Sequence, residues 1–114
     1  MSQLLSLTDK NFDQYFTQAH LLVLDFWAPW CAPCEGFTRI FAEVAAENKQ
    51  AGLCFGSINV DEEKTLAKDF NIGSVPTCAI IRNQIMIFIQ SGAMPKKALQ
   101  ELIQRALDLP STNA

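Results

Sequence analysis

Residues 21–27 read Leu-Leu-Val-Leu-Asp-Phe-Trp, with too little alternation for a strand open to water on one face, so the pattern predicts a strand in the middle of a sheet. The segments on either side have a helical period. Thr8-Asp9 reads as an N-cap with an acidic first turn, and Phe12, Tyr15, Phe16 and Ala19 follow on one face of a first amphipathic helix. Phe37, Ile40, Phe41, Val44 and Ala45 define the core face of a second helix that runs to about Gln50 and stops before Gly52. Residues 53–60 form a further apolar strand, and Asp61 is the expected cap of a short helix through Phe70. Two more apolar runs, 77–81 and 85–90, are joined only by Arg82-Asn83-Gln84, a connection that permits a hairpin and excludes a parallel crossover. Gly92 breaks the second run. Pro95 then opens a last helix whose buried stripe is Leu99, Leu102, Ile103, Ala106 and Leu107.

Strand–helix alternation ending in a hairpin and a helix is an α/β pattern with a mixed sheet covered by helices. There is no repeat, linker or low-complexity segment, so residues 1–109 are expected to form a single domain and 110–114 a frayed tail. The 114 residues, 49% hydrophobic and only 18% charged, are enough to bury one core. The net charge of −3, with no basic cluster beyond Lys96-Lys97, argues against a nucleic-acid partner. The first residues lack the basic start and sustained apolar run of a signal peptide, and the apolar run from Leu21 stops at Asp25, short of a membrane span. A cytoplasmic location is therefore expected, where paired cysteines are more often catalytic than structural.

Cys31 and Cys34 stand three apart in the turn that leads into the second helix. The first can face unpaired backbone N–H groups and the positive end of the helix, which favours its thiolate and marks it as the accessible nucleophile. The second lies further in, placed to resolve a disulfide made by the first. Ala32 and Pro33 keep the turn compact, and proline at an early helical position loses no backbone hydrogen bond. A Cys-x-x-Cys pair is also half of a zinc site, but Cys54 and Cys78 stand singly on separate strands and do not form a second pair. Each reads as a small buried hydrophobe, with Cys78, two residues past Pro76, on the strand expected beside the pair. The lone His20 pairs with neither cysteine and reads as a solvated loop residue. Asp25 is a carboxylate inside an apolar strand; burial should raise its pKa and tune it to accept the proton of Cys34.

Asp25-Phe26-Trp27-Ala28, Trp30-Cys31-Ala32-Pro33-Cys34, Val75-Pro76-Thr77 and Gly92-Ala93 together resemble the thioredoxin family over roughly residues 5–108. The resemblance implies a thioredoxin fold, with a central mixed β-sheet and helices on both faces. It also implies a thiol-disulfide oxidoreductase that reduces disulfide-containing protein substrates through Cys31 and Cys34, without a bound cofactor or metal. A flavin- and NADPH-dependent thioredoxin reductase would be the partner that resets the pair. Pro76 resembles the family's cis-proline, which lets the Val75 backbone face an extended substrate segment. Trp30, Val75, Gly92 and Ala93 would form an apolar rim around Cys31, with Trp27 as core packing beneath. Four positions depart from the family pattern: Ala32 replaces a glycine, Glu35 stands where lysine is common, Gly36 and Arg39 occupy the region of a helix-kinking proline, and Ser57 stands where many members carry a lysine facing the buried aspartate. The chain is expected to act as a monomer. Three rival readings are a disulfide oxidase or isomerase, against which the cytoplasmic location argues; a binding module without turnover, against which the intact cysteine pair argues; and an iron–sulfur or zinc protein, against which the singly placed Cys54 and Cys78 argue.

Overall fold

The computed structural model describes residues 4–110. In chain order the elements are β1 (Leu4–Ser6), α1 (Phe12–Gln18), β2 (Leu21–Trp27), α2 (Ala32–Glu47), β3 (Leu53–Asn59), α3 (Lys64–Asp69), β4 (Thr77–Arg82), β5 (Ile85–Ser91) and α4 (Lys96–Asp108). They build one five-stranded sheet in the order β1-β3-β2-β4-β5, with β2 in the middle as its apolar run requires. β3 lies parallel to both β1 and β2, whereas β4 runs antiparallel to β2 and β5 antiparallel to β4.

Successive residues of β2 enter two different cores, which is why the strand needs no polar face. Leu21 and Val23 join Phe37, Phe41, Val44, Phe55, Ile80, Leu99 and Ile103 beneath α2 and α4. Leu22, Leu24 and Phe26 join Phe12, Ile58, Leu66, Ala79 and Ile81 beneath α1 and α3. By the same parity Asp25 belongs to the face that α2 covers. Helices thus cover both faces of the sheet.

Several local expectations are corrected. β1 escaped the sequence pattern because three residues carry no readable period; its pairing of Leu4, Leu5 and Ser6 with Phe55, Gly56 and Ser57 makes it a strand. Thr8 does accept backbone N–H groups through its hydroxyl, from Lys10 and Asn11 at 3.2 Å each, but it closes a turn, and α1 begins only at Phe12 behind an Asn11 N-cap. Asp9 serves a different helix: its carboxylate accepts from the Leu66 N–H at 3.0 Å and the Thr65 N–H at 3.4 Å, at the start of α3. Asp61, the expected cap of α3, instead accepts the Trp30 indole N–H at 3.2 Å. The hairpin loop contracts to Asn83 and Gln84, with φ of 51° and 68°, and Arg82 is the last residue of β4. Residues 111–114 of the expected tail lie outside the described residues. Just before them, the Arg82 guanidinium donates to the carbonyls of Leu109 at 2.6 Å and Pro110 at 3.3 Å, tying down the exit of α4. No helix among the described residues is long and apolar enough to cross a membrane.

Candidate active site

β2 ends at Trp27, and the chain turns through Ala28 to Trp30 into α2, with Cys31 as the N-cap residue in extended conformation. The Cys34 N–H donates to Cys31 Sγ at 3.2 Å, so the first sulfur occupies the place of a capping oxygen. Ala32 and Pro33 fill the first two helical positions, where the absent proline N–H costs nothing. The two cysteines are joined as a disulfide. Cys31 is less open than its expected role suggested, at 7% exposure against 2% for Cys34, while the neighbouring Trp30 is 71% exposed.

The second half of the site arrives from the other side of the sheet's centre. Cys31 Sγ lies 3.6 Å from the Val75 carbonyl oxygen, and the Val75–Pro76 peptide bond is cis, as anticipated. The Pro76 carbonyl accepts from the Gly92 N–H at 2.8 Å, and the Thr77 hydroxyl donates to the Ser74 carbonyl at 2.7 Å. Val75, Pro76 and Gly92 are therefore held as one loop assembly beside the sulfur. Val75 packs with Ala28, Cys31 and Cys34. Ala93 follows Gly92 as an exposed residue. Trp30 is tied by its indole to Asp61. His20 sits at the opposite end of β2, exposed, with its Nδ1 2.8 Å from the Asn83 side-chain oxygen.

A cleft of about 250 Å³ opens next to the disulfide, lined by Trp27, Ala28, Pro29, both cysteines, Glu35, Thr38 and Ser57. Trp27, half-buried at the end of β2, packs against Ala28, Cys31 and Cys34 beneath the pair and also forms a wall of this cleft. Asp25 lies behind the Thr38 and Ser57 part of the wall and is fully buried. Ser57 of β3 and Cys78 of β4 are its neighbours in register. The Thr38 hydroxyl donates to Asp25 Oδ2 at 3.1 Å, while Oδ1 has no hydrogen-bond partner. Burial outweighs that one hydrogen bond and pushes the Asp25 carboxyl from 3.8 up to about 7. Thr38 was missed in the sequence. Its only signal is its spacing: four residues after Cys34, it lies one turn down the same helix face.

The remaining cysteines are on opposite faces of the sheet. Cys78 belongs to the core under α2 and α4, whereas Cys54 packs against the other. Burial first, and then the nearby Asp25 charge, push the Cys78 thiol to about 12; burial alone raises that of the half-buried Cys54. Among the described residues no three or more His, Cys, Asp or Glu side chains gather as a metal site. These environments predict an order of reaction. In the reduced protein at mildly acidic pH, iodoacetamide should label Cys31 first, then Cys34 and Cys54, with Cys78 unlabelled until the chain unfolds. Peptide mass mapping after partial labelling checks this, and Cys54 or Cys78 reacting ahead of Cys31 would contradict it.

The family model described as Thioredoxin matches residues 3–105. A Streptomyces coelicolor protein that carries a thioredoxin name is 38% identical over 109 residues, spanning 96% of this chain and 80% of that one. The thioredoxin of Haemophilus influenzae is 34% identical over 107 residues, spanning 92% of this chain and 98% of that one. Among solved structures, Malassezia sympodialis thioredoxin (Mala s 13) superposes with a TM-score of 0.80 at 26% identity, covering 91% of each chain.

Proposed function

This chain belongs to the thioredoxin family, and on that premise we propose how its residues divide the work of a protein-disulfide reductase. The protein is a thiol-disulfide oxidoreductase that acts on disulfide-containing protein substrates. In the proposed cycle the Cys31 thiolate attacks one sulfur of a substrate disulfide; the substrate bond breaks and its other sulfur leaves as a thiolate. Cys34 Sγ then attacks Cys31 Sγ, the second substrate thiolate leaves, and the Cys31–Cys34 disulfide remains. Asp25, buried behind the wall of the cleft with its carboxyl tuned near neutrality by that burial, receives the proton of Cys34. The observation that carries this assignment is the Cys31 sulfur at the α2 cap, facing the Val75 carbonyl. An extended substrate segment would pair with the Val75 backbone beside Pro76, with Trp30, Gly92 and Ala93 as the rim. A flavin- and NADPH-dependent thioredoxin reductase would restore the dithiol. The protein works as a cytoplasmic monomer in this reading and needs no resident cofactor.

Coupled turnover tests the proposal. The oxidised protein, supplied with NADPH and a bacterial thioredoxin reductase, should reduce insulin continuously. Trp30→Ala should raise KM for insulin roughly tenfold, as loss of an exposed aromatic anchor does, while kcat for a small aromatic disulfide stays at the parent value. Failure to accept electrons from the reductase would remove that partner, and an unchanged KM would remove Trp30 from the rim.

A further inference from the structure

The geometry points to Thr38 as a positioning residue that holds Asp25 by Oδ2 and thereby leaves Oδ1 as the oxygen that receives the Cys34 proton. The inference rests on the general-base reading of Asp25 given above. Three observations carry it. The Thr38 hydroxyl is the one hydrogen-bond donor to this fully buried carboxylate among the described residues. Thr38 also lines the cleft that contains Cys34, one helical turn away on the same face. Finally, Ser57, the register neighbour of Asp25 on β3, makes no hydrogen bond to it, so this strand brings neither charge nor donor to the carboxylate.

The groups facing Asp25 leave the hydroxyl with unusual weight. From β4 the titratable neighbour is Cys78, held protonated by burial. From α2 come Cys34 and Thr38, with Glu35 at the mouth of the cleft. From α4 the core receives Leu99, Ile103 and Ala106, which carry no charge. A hydrogen bond to the ionised form favours that form. Thr38 therefore opposes desolvation and lowers the pH at which Asp25 becomes a competent base.

The resolving step reports this directly. When reduced protein is mixed with DTNB, the first thionitrobenzoate released marks formation of the mixed disulfide at Cys31, and the second marks attack by Cys34. In Thr38→Val the acid limb of the second release should move up by roughly one pH unit, without a lower plateau at high pH, because one hydrogen bond to the carboxylate is lost. The carboxyl carbon resonance of Asp25 in the oxidised protein should titrate higher by the same interval. Thr38→Ser should restore both, and in an Asp25→Asn background Thr38→Val should change the second release no further. A Thr38→Val profile that superposes on the parent, or one slowed equally at all pH values, overturns the inference. So does a Thr38→Ser protein that behaves like Thr38→Val. An Asp25→Asn protein that resolves at the parent rate defeats the general-base reading itself, a result distinct from any obtained with Thr38.

Discussion

Cys31→Ser is expected to lower disulfide reductase turnover to the rate measured without protein. Its sulfur is the one that sits at the α2 cap and faces the Val75 carbonyl, and serine offers a far weaker nucleophile in the same place. Cys34→Ser should fail differently. The first attack remains intact, but no thiol is left to displace the substrate, so covalent adducts accumulate at Cys31. The check is a pair of assays on each variant: insulin turnover, and non-reducing electrophoresis after incubation with a disulfide-bonded protein. Adducts on Cys31→Ser, or continued turnover by Cys34→Ser, would reverse the two roles. Because the Cys31–Cys34 disulfide must form for release, the adduct in Cys34→Ser should persist until an external thiol is added.

The second large effect concerns stability. Asp25 is fully buried, and its carboxyl is displaced upward from 3.8 to about 7, chiefly by desolvation and against the Thr38 hydrogen bond. With the folded value above the unfolded one, the unfolded chain releases its proton first as pH rises. The contribution of this group is fully present below about pH 4 and is lost progressively as pH climbs through 7. Linkage puts the loss on the order of 4 kcal/mol at pH 9, a large part of the stability of a domain this size. Asp25→Asn removes the ionisation while keeping a side-chain acceptor for Thr38. It should match the parent to within about 1 kcal/mol at pH 4 and exceed it by several kcal/mol at pH 9. Guanidinium melts of the oxidised proteins at both pH values measure the difference, and oxidation keeps Cys31 and Cys34 from titrating in the same window. The same variant should slow the second thionitrobenzoate release near neutrality by roughly 10²-fold, the usual size of a lost general base. A mutant less stable than the parent at pH 9 would mean that Asp25 is held by partners favouring its ionised form.

Much of the architecture could be read along the chain because it is written in local periods. The near-uniform apolarity of 21–27 can be satisfied only between two helical layers, and β2 occupies that central place. The stripe at Phe37, Phe41, Val44 and Ala45 is buried on α2 as its spacing required, and the short 82–84 connection forced β4 and β5 into a hairpin. The candidate site was legible for a related reason. Cys31, Pro33 and Cys34 lie within one turn of a helix start, so backbone geometry alone brings their chemistry together. Val75, Pro76 and Gly92 became legible only through resemblance, since their approach to the pair depends on how β4 enters the sheet.

Features that join distant segments could not be read in this way. A strand of three residues has no period, so β1 exists only because β3 offers it an edge. Asp9 reads in sequence as the first turn of the helix that follows it, yet it caps α3, 57 residues on, because packing brings those free N–H groups to its carboxylate. Asp61 reads as the cap of α3 and turns instead to Trp30. For Asp25 the chain shows a carboxylate inside an apolar strand, and only the family resemblance points to Ser57 as the residue facing it. The donor comes from Thr38, on a helix laid across the sheet. Periodicity and capping act within a few residues and are recorded in sequence order, whereas the partner of a buried polar group is selected by whichever donor packing leaves within hydrogen-bond reach.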